Sequence, residues 1–112
     1  MSQITISLSK DFAPFPAGRY KKDGPYTGQG FREDILVPAL RKFDSVKVLL
    51  DGKLGYGSSF LEEAFGGLVR ENGFTEEELK RKLTLEGKRA SIVRSALEYI
   101  SNAQLETIKS DK

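Results

Sequence analysis

The stretch Leu50-Asp51-Gly52-Lys53-Leu54-Gly55-Tyr56-Gly57-Ser58-Ser59-Phe60-Leu61-Glu62-Glu63-Ala64-Phe65-Gly66-Gly67-Leu68 decides the fold. Before it, Val46, Val48 and Leu49 complete a compact apolar run that stops at Asp51-Gly52. Such a run predicts a central strand covered on both faces of a parallel sheet. Beyond the loop from Gly52 to Gly57, Phe60, Leu61, Ala64, Phe65, Leu68 and Val69 recur at spacings of three and four, predicting a helix over 59–72. Asn72-Gly73 supplies its stop signal.

Working outward, Ile4, Ile6 and Leu8 alternate with Thr5, Ser7 and Ser9, the period-2 pattern of a half-buried strand over 3–8. From Phe12 to Gly30 the chain carries Pro14, Pro16 and Pro25 with Gly18, Gly24, Gly28 and Gly30, which predicts a long turn-rich loop. Within it, Arg19-Tyr20-Lys21 is a candidate short edge strand. Phe31, Ile35, Leu36, Ala39, Leu40 and Phe43 share one helical face, with Glu33 and Asp34 in the first turn and Pro38 placed to kink the helix. Thr75 and Glu78 form a capping-box pattern before a short charged turn, and Leu83-Thr84-Leu85 predicts another strand. Val93, Ala96, Leu97 and Ile100 define a last amphipathic helix, and the residues from Glu106 onward a frayed tail.

Strands alternating with helices predict an α/β layer structure, with helices packed against a small, mostly parallel (mixed) sheet whose leading strands are free to pair antiparallel. At 112 residues the chain has room for one domain, over 1–105, with 106–112 as the tail. Apolar residues are 38% of the chain and charged residues 30%, enough for a modest core and too periodic for wholesale disorder. Cysteine and histidine are absent, which removes disulfides, thiolate nucleophiles, imidazole bases and zinc sites built on either residue. The expectation is no metal and no cofactor. No apolar run approaches 18 residues, and Met1 to Lys10 alternate polar and apolar residues, so a cytoplasmic protein is expected. The net charge of +2 implies no electrostatic grip on nucleic acid or membrane.

A glycine-rich loop leaving a strand and entering a helix points backbone N–H groups at one spot, and Ser58 and Ser59 stand there. Ser59 with Glu62 makes a capping box, which gives Ser59 a structural role. Ser58 precedes that cap with its hydroxyl free, as a plain turn serine or as a modification site. The loop is no phosphate-binding fingerprint: no glycine-lysine-serine/threonine triplet occurs, and Gly55-Tyr56-Gly57 lacks a third glycine in register. Glu62 and Glu63 are no acid–base pair, since adjacent helical positions diverge by about 100°. Arg32 is a candidate cation for Glu63, the pair bracing the loop between helix ends, or else both are solvated charges. Lys80-Arg81-Lys82 and Lys88-Arg89 are interleaved with Glu76, Glu77, Glu78 and Glu86 and predict a solvated face. Phe60, Phe65 and Phe74, near Tyr56, fit core filling, with one ring left for a partner.

The residues Phe31-Arg32-Glu33 and Ser58-Ser59-Phe60-Leu61-Glu62-Glu63-Ala64-Phe65-Gly66-Gly67-Leu68 resemble the bacterial STAS-like domains of unknown function (DUF4325). The resemblance runs from the first strand to about Ile100 and implies a STAS-like fold. Within the broader STAS group, anti-sigma-factor antagonists are phosphorylated by an ATPase-fold kinase on the first hydroxyl residue of a strand-to-helix turn. Ser58 matches that position, with Ser59 as the weaker candidate. Gly57 stands where the antagonists carry aspartate and Phe60 where they carry glycine, so their kinase recognition surface is not reproduced.

The resemblance implies a protein-interaction and signalling module, a partner-switch component working with a histidine-kinase-like ATPase protein. Its expected surface comprises Tyr56, Gly57, Ser58, Ser59, Glu62, Glu63 and Arg32. The alternative is a nucleotide or small-anion sensor, in which the Gly52 to Ser59 and Gly24 to Gly30 loops clasp an anion with help from Arg32 or Lys53. An enzyme is not expected, because acid–base work would rest on Asp51, Tyr56, Lys53, Glu62 or Glu63 without histidine or cysteine.

Overall fold

A computed structural model describes residues 2–110. Strand β1 (Gln3–Ser7) is followed by a single widened turn, Leu8–Phe12, and by the long loop, in which only Lys21–Asp23 forms a short 3-10 turn. Helix α1 covers 28–42, strand β2 Ser45–Leu49, helix α2 58–70, helix α3 Glu76–Lys82, strand β3 Leu83–Glu86 and helix α4 Ala90–Ser110. Arg19-Tyr20-Lys21 therefore forms no edge strand; Tyr20 caps the 3-10 turn, its N–H donating to Asp23 Oδ2 at 2.9 Å.

The three strands lie in the order β1-β2-β3 and both pairings are parallel, with Ile4 opposite Val46 and Val46 opposite Leu83. The leading strands thus pair parallel and the sheet is not mixed. Each pair is joined by a helical crossover, which returns the chain to the same edge and so enforces parallel direction. Strand β2 is central, as its apolar run predicts, but it is covered on one face only. Ile6, Val46, Val48, Leu50 and Leu83 are buried, whereas Gln3, Thr5, Thr84 and Glu86 are exposed and Lys47 is half-buried. The lysine inside Val46-Lys47-Val48 gives the strand a true period of two, and that alternation puts Lys47 on an open polar face.

The helices pack over the buried face. Thr27 Oγ1 accepts from Gly30 N–H at 3.1 Å and starts α1 at Gly28, one turn earlier than the apolar pattern predicts. Pro38 follows a π-helical turn over Arg32–Leu36 that closes with Val37 N–H donating to the Arg32 carbonyl, one residue ahead of the position that lacks an N–H. Phe31, Phe60 and Phe65 form the centre of the core, with ring centroids 6.3 Å (Phe31–Phe60) and 6.4 Å (Phe31–Phe65) apart. Helix α2 ends near the predicted stop, where Gly73 takes φ +77°. Thr75 and Glu78 make the expected capping box, which opens α3. Helix α4 is longer than its pattern predicts: it runs to Ser110, so 106–110 are helical where a frayed tail is expected, and 111–112 lie outside the described residues.

Helices α1 and α2 approach closely at Gly28. A Cβ there would lie 2.5 Å from the Phe60 carbonyl oxygen and 3.2 Å from Ala64 N, both backbone atoms unable to swing aside. Gly28→Ala should therefore lower unfolding stability in urea by about 1–3 kcal/mol, the usual cost of overpacking; an unchanged midpoint would contradict this contact.

Candidate functional site

The loop from β2 to α2 is held from within. Gly52 N–H donates to Tyr56 Oη at 2.7 Å, Gly55 takes φ +77°, and the Tyr56 ring stacks on Phe60 at 5.8 Å between centroids. Burial raises the Tyr56 hydroxyl pKa. Tyr56 is thus an anchor of the loop rather than a ring offered to a partner. The large rings that are exposed, Phe15, Tyr20 and Tyr26, sit in the earlier proline- and glycine-rich loop.

Helix α2 begins on Gly57, whose carbonyl accepts from Leu61 N–H at 3.1 Å. Gly57 is the N-cap and brings no side chain, so Ser58 and Ser59 occupy the first two helical positions. Both are exposed, and neither hydroxyl has a hydrogen-bond partner among the described residues. The expected Ser59–Glu62 capping box is absent. Glu62 turns instead to Arg19 and to Arg70, whose Nη1 lies 2.8 Å from its Oε2. Charge-assisted bonds to two guanidinium groups outweigh one bond to an exposed backbone N–H.

Glu63 is buried against Arg32. Arg32 Nη1 donates to Glu63 Oε2 at 2.6 Å and to the Glu63 carbonyl oxygen at 2.6 Å, with the residues 2% and 4% exposed. The second bond has a backbone cause. Over Glu62–Gly66 helix α2 widens into a π turn, and Gly67 N–H donates to Glu62 O instead of to Glu63 O. Arg32 supplies the donor that Glu63 O loses. Gly67 leaves room for it: a Cβ at this position would overlap the guanidinium, whose Cζ would lie 2.8 Å away.

The expected Arg32–Glu63 brace therefore exists, but it clamps α1 to α2 in the interior. Neither residue belongs to an interaction surface, and Arg32 is not free to hold an anion between the two glycine loops. Arg70 Nη2 and Arg19 Nη1 each reach Glu63 Oε1 at 3.3 Å, completing a network of three arginines over two glutamates. Burial tends to raise the Glu62 pKa, but the bonds from Arg70 and Arg19 prevail and hold its carboxyl below the usual range.

The sheet edge carries a second fixed carboxylate. Ser7 Oγ donates to Asp51 Oδ2 at 2.5 Å and Ser9 N–H to Asp51 Oδ1 at 2.9 Å, tying the ends of β1 and β2 together. Burial opposes the charge on Asp51, yet these bonds outweigh it and lower its pKa. Lys53 lies apart, on a cleft at the carboxyl edge of the sheet that Lys88 and Arg89 also line, and both of those residues are exposed, as the expected solvated face requires.

With this geometry in view, the family model for the STAS-like domain of unknown function (DUF4325) matches residues 27–89. The chain belongs to this family. The match runs from the Thr27 cap through both clamp residues, the serine corner and β3, leaving β1 and all of α4 outside it. The chain matches no curated protein and no solved structure. Among the described residues no helix is long and apolar enough to cross a membrane.

Two outcomes follow for this STAS-like domain. Because Ser59 caps nothing, Ser59→Ala should change unfolding stability by no more than about 0.5 kcal/mol; a loss above about 1 kcal/mol would restore a capping role. Glu62 and Asp51 have folded pKa values depressed below their unfolded ones, so their contribution is present above the usual carboxylate range and is lost as pH falls through the folded values. The urea midpoint should drop between about pH 6 and pH 3, and Glu62→Gln should flatten that slope; an equal slope in the variant would contradict the assignment.

Proposed function

We propose that this STAS-like domain is a cytoplasmic protein-interaction module of the partner-switching kind, not an enzyme, and that its switch is Ser58. The partner is a protein, a histidine-kinase-like ATPase that docks on the corner formed by Gly57, Ser58 and Ser59 and phosphorylates the first serine. The observation carrying this reading is the unbonded, exposed hydroxyl of Ser58 at the start of a helix whose next turns are clamped into the core.

Rigidity on one side and access on the other suit a site that a second macromolecule must grasp. A phosphate on Ser58 would add about −1.5 to −2 charge where the helix N-terminus favours an anion. Glu62, one turn along, is neutralised by Arg19 and Arg70 and so offers that phosphate little repulsion. The carboxylates an enzyme would use support the same reading, since Asp51, Glu62 and Glu63 are all engaged by fixed donors.

Pull-downs with wild type, Ser58→Ala and Ser58→Asp as bait, read by quantitative mass spectrometry, test it. An ATPase-fold protein should be retained by wild type and Ser58→Ala and lost about tenfold with Ser58→Asp. Identical captures by all three would remove the switch.

A further inference from the structure

The carboxyl ends of β2 and β3, the first residues of the glycine loop and the start of α4 enclose a cleft of about 1080 Å³. Its walls are apolar, with Leu50, Leu85, Ile92, Val93 and Leu97 facing the space. Its mouth carries Lys53, Lys88, Arg89 and Arg94, all exposed. None of these four cations makes an ion pair among the described residues; Arg89 Nη2 donates only to the Lys53 carbonyl at 3.2 Å. The two acids on the lining are occupied elsewhere, Asp51 by Ser7 and Ser9 and Glu86 by Lys47 at 3.6 Å.

We propose that this cleft binds a free anionic amphiphile, an unbranched apolar chain bearing one carboxylate. The chain lies against Leu85, Val93 and Leu97, and the head sits among Lys88, Arg89 and Arg94. Four like charges around one opening repel each other and favour an anion in their midst. The apolar walls remove the case for a small inorganic ion, because such an ion gains nothing from Leu and Val side chains. In open parallel sheets, ligands enter at the carboxyl ends of the strands, and a cleft of this size is at the upper end of small-molecule sites, about 1,000 Å³. The inference is independent of Ser58 and of any kinase partner.

Calorimetric titration of the full chain with decanoate, decyltrimethylammonium and acetate separates the contributions of chain and head. Decanoate should bind with a Kd at least about tenfold below that of either control, and Lys88→Glu combined with Arg94→Glu should weaken it about tenfold. Val93→Trp, which fills the cleft, should abolish binding; the two charge reversals lie on the surface and keep the test valid if that variant misfolds. Absence of decanoate binding, equal binding of the cationic amphiphile, or binding unchanged by the charge reversals would each overturn the proposal. Sedimentation with phosphatidylglycerol vesicles without decanoate binding would assign the basic mouth to a membrane surface. A dimer abolished by the same charge reversals, again without decanoate binding, would assign the cleft to a second copy of the chain. Either result also overturns the proposal.

Discussion

One buried ion pair sets the geometry on which the domain depends. Arg32 on α1 and Glu63 on α2 meet in the core, where an unpaired charge of either sign would be costly to bury. Their meeting requires several local features at once. The π turn in α2 frees the Glu63 carbonyl for the same guanidinium, Gly67 leaves room for it, and Gly28 lets the helices approach. The phenylalanines around the pair supply the apolar burial that drives folding, while the pair fixes how the two helices are aligned.

That alignment has a consequence at the other end of α2. Because the helix is held by Glu63, Ala64, Phe65 and Leu68, its first residues need no further support and present two serines to solvent. The loop before them is held separately by Tyr56, stacked on Phe60 and bonded to Gly52. The stretch from Ser58 to Leu68 thus combines an exposed corner with an interior clamp. Its serines are exposed, and its glutamates and second glycine serve the fold.

Much of this was legible in the sequence. The periodicity of Val46 to Val69 marks a strand, a loop and a helix, and charge and position there make Arg32 a candidate partner for Glu63, with two solvated charges as the alternative. What escaped was long-range or one-residue in scale. Arg19 lies in a stretch dominated by proline and glycine, so nothing local points to its contact with Glu62, 43 residues away. Ser7 and Ser9 alternate like any strand residues and carry no sign that they hold Asp51. The cap shifted from Ser59 to Gly57 because two arginines compete for Glu62, a contest invisible in a four-residue pattern. The open sheet face was readable from Lys47 but was masked by the apolar residues on either side of it.

The most direct test is a double-mutant cycle on the clamp, with Arg32→Met, Glu63→Leu and the double variant compared by urea unfolding at neutral pH. Glu63→Leu strands the Arg32 guanidinium in the core and should cost about 3–5 kcal/mol. Arg32→Met should cost less because Arg19 and Arg70 still reach Glu63 Oε1 at 3.3 Å, and the double variant, with neither charge, should lose less than the two single losses summed. Single effects that simply add in the double variant would contradict a buried, mutually dependent pair and the helix alignment built on it.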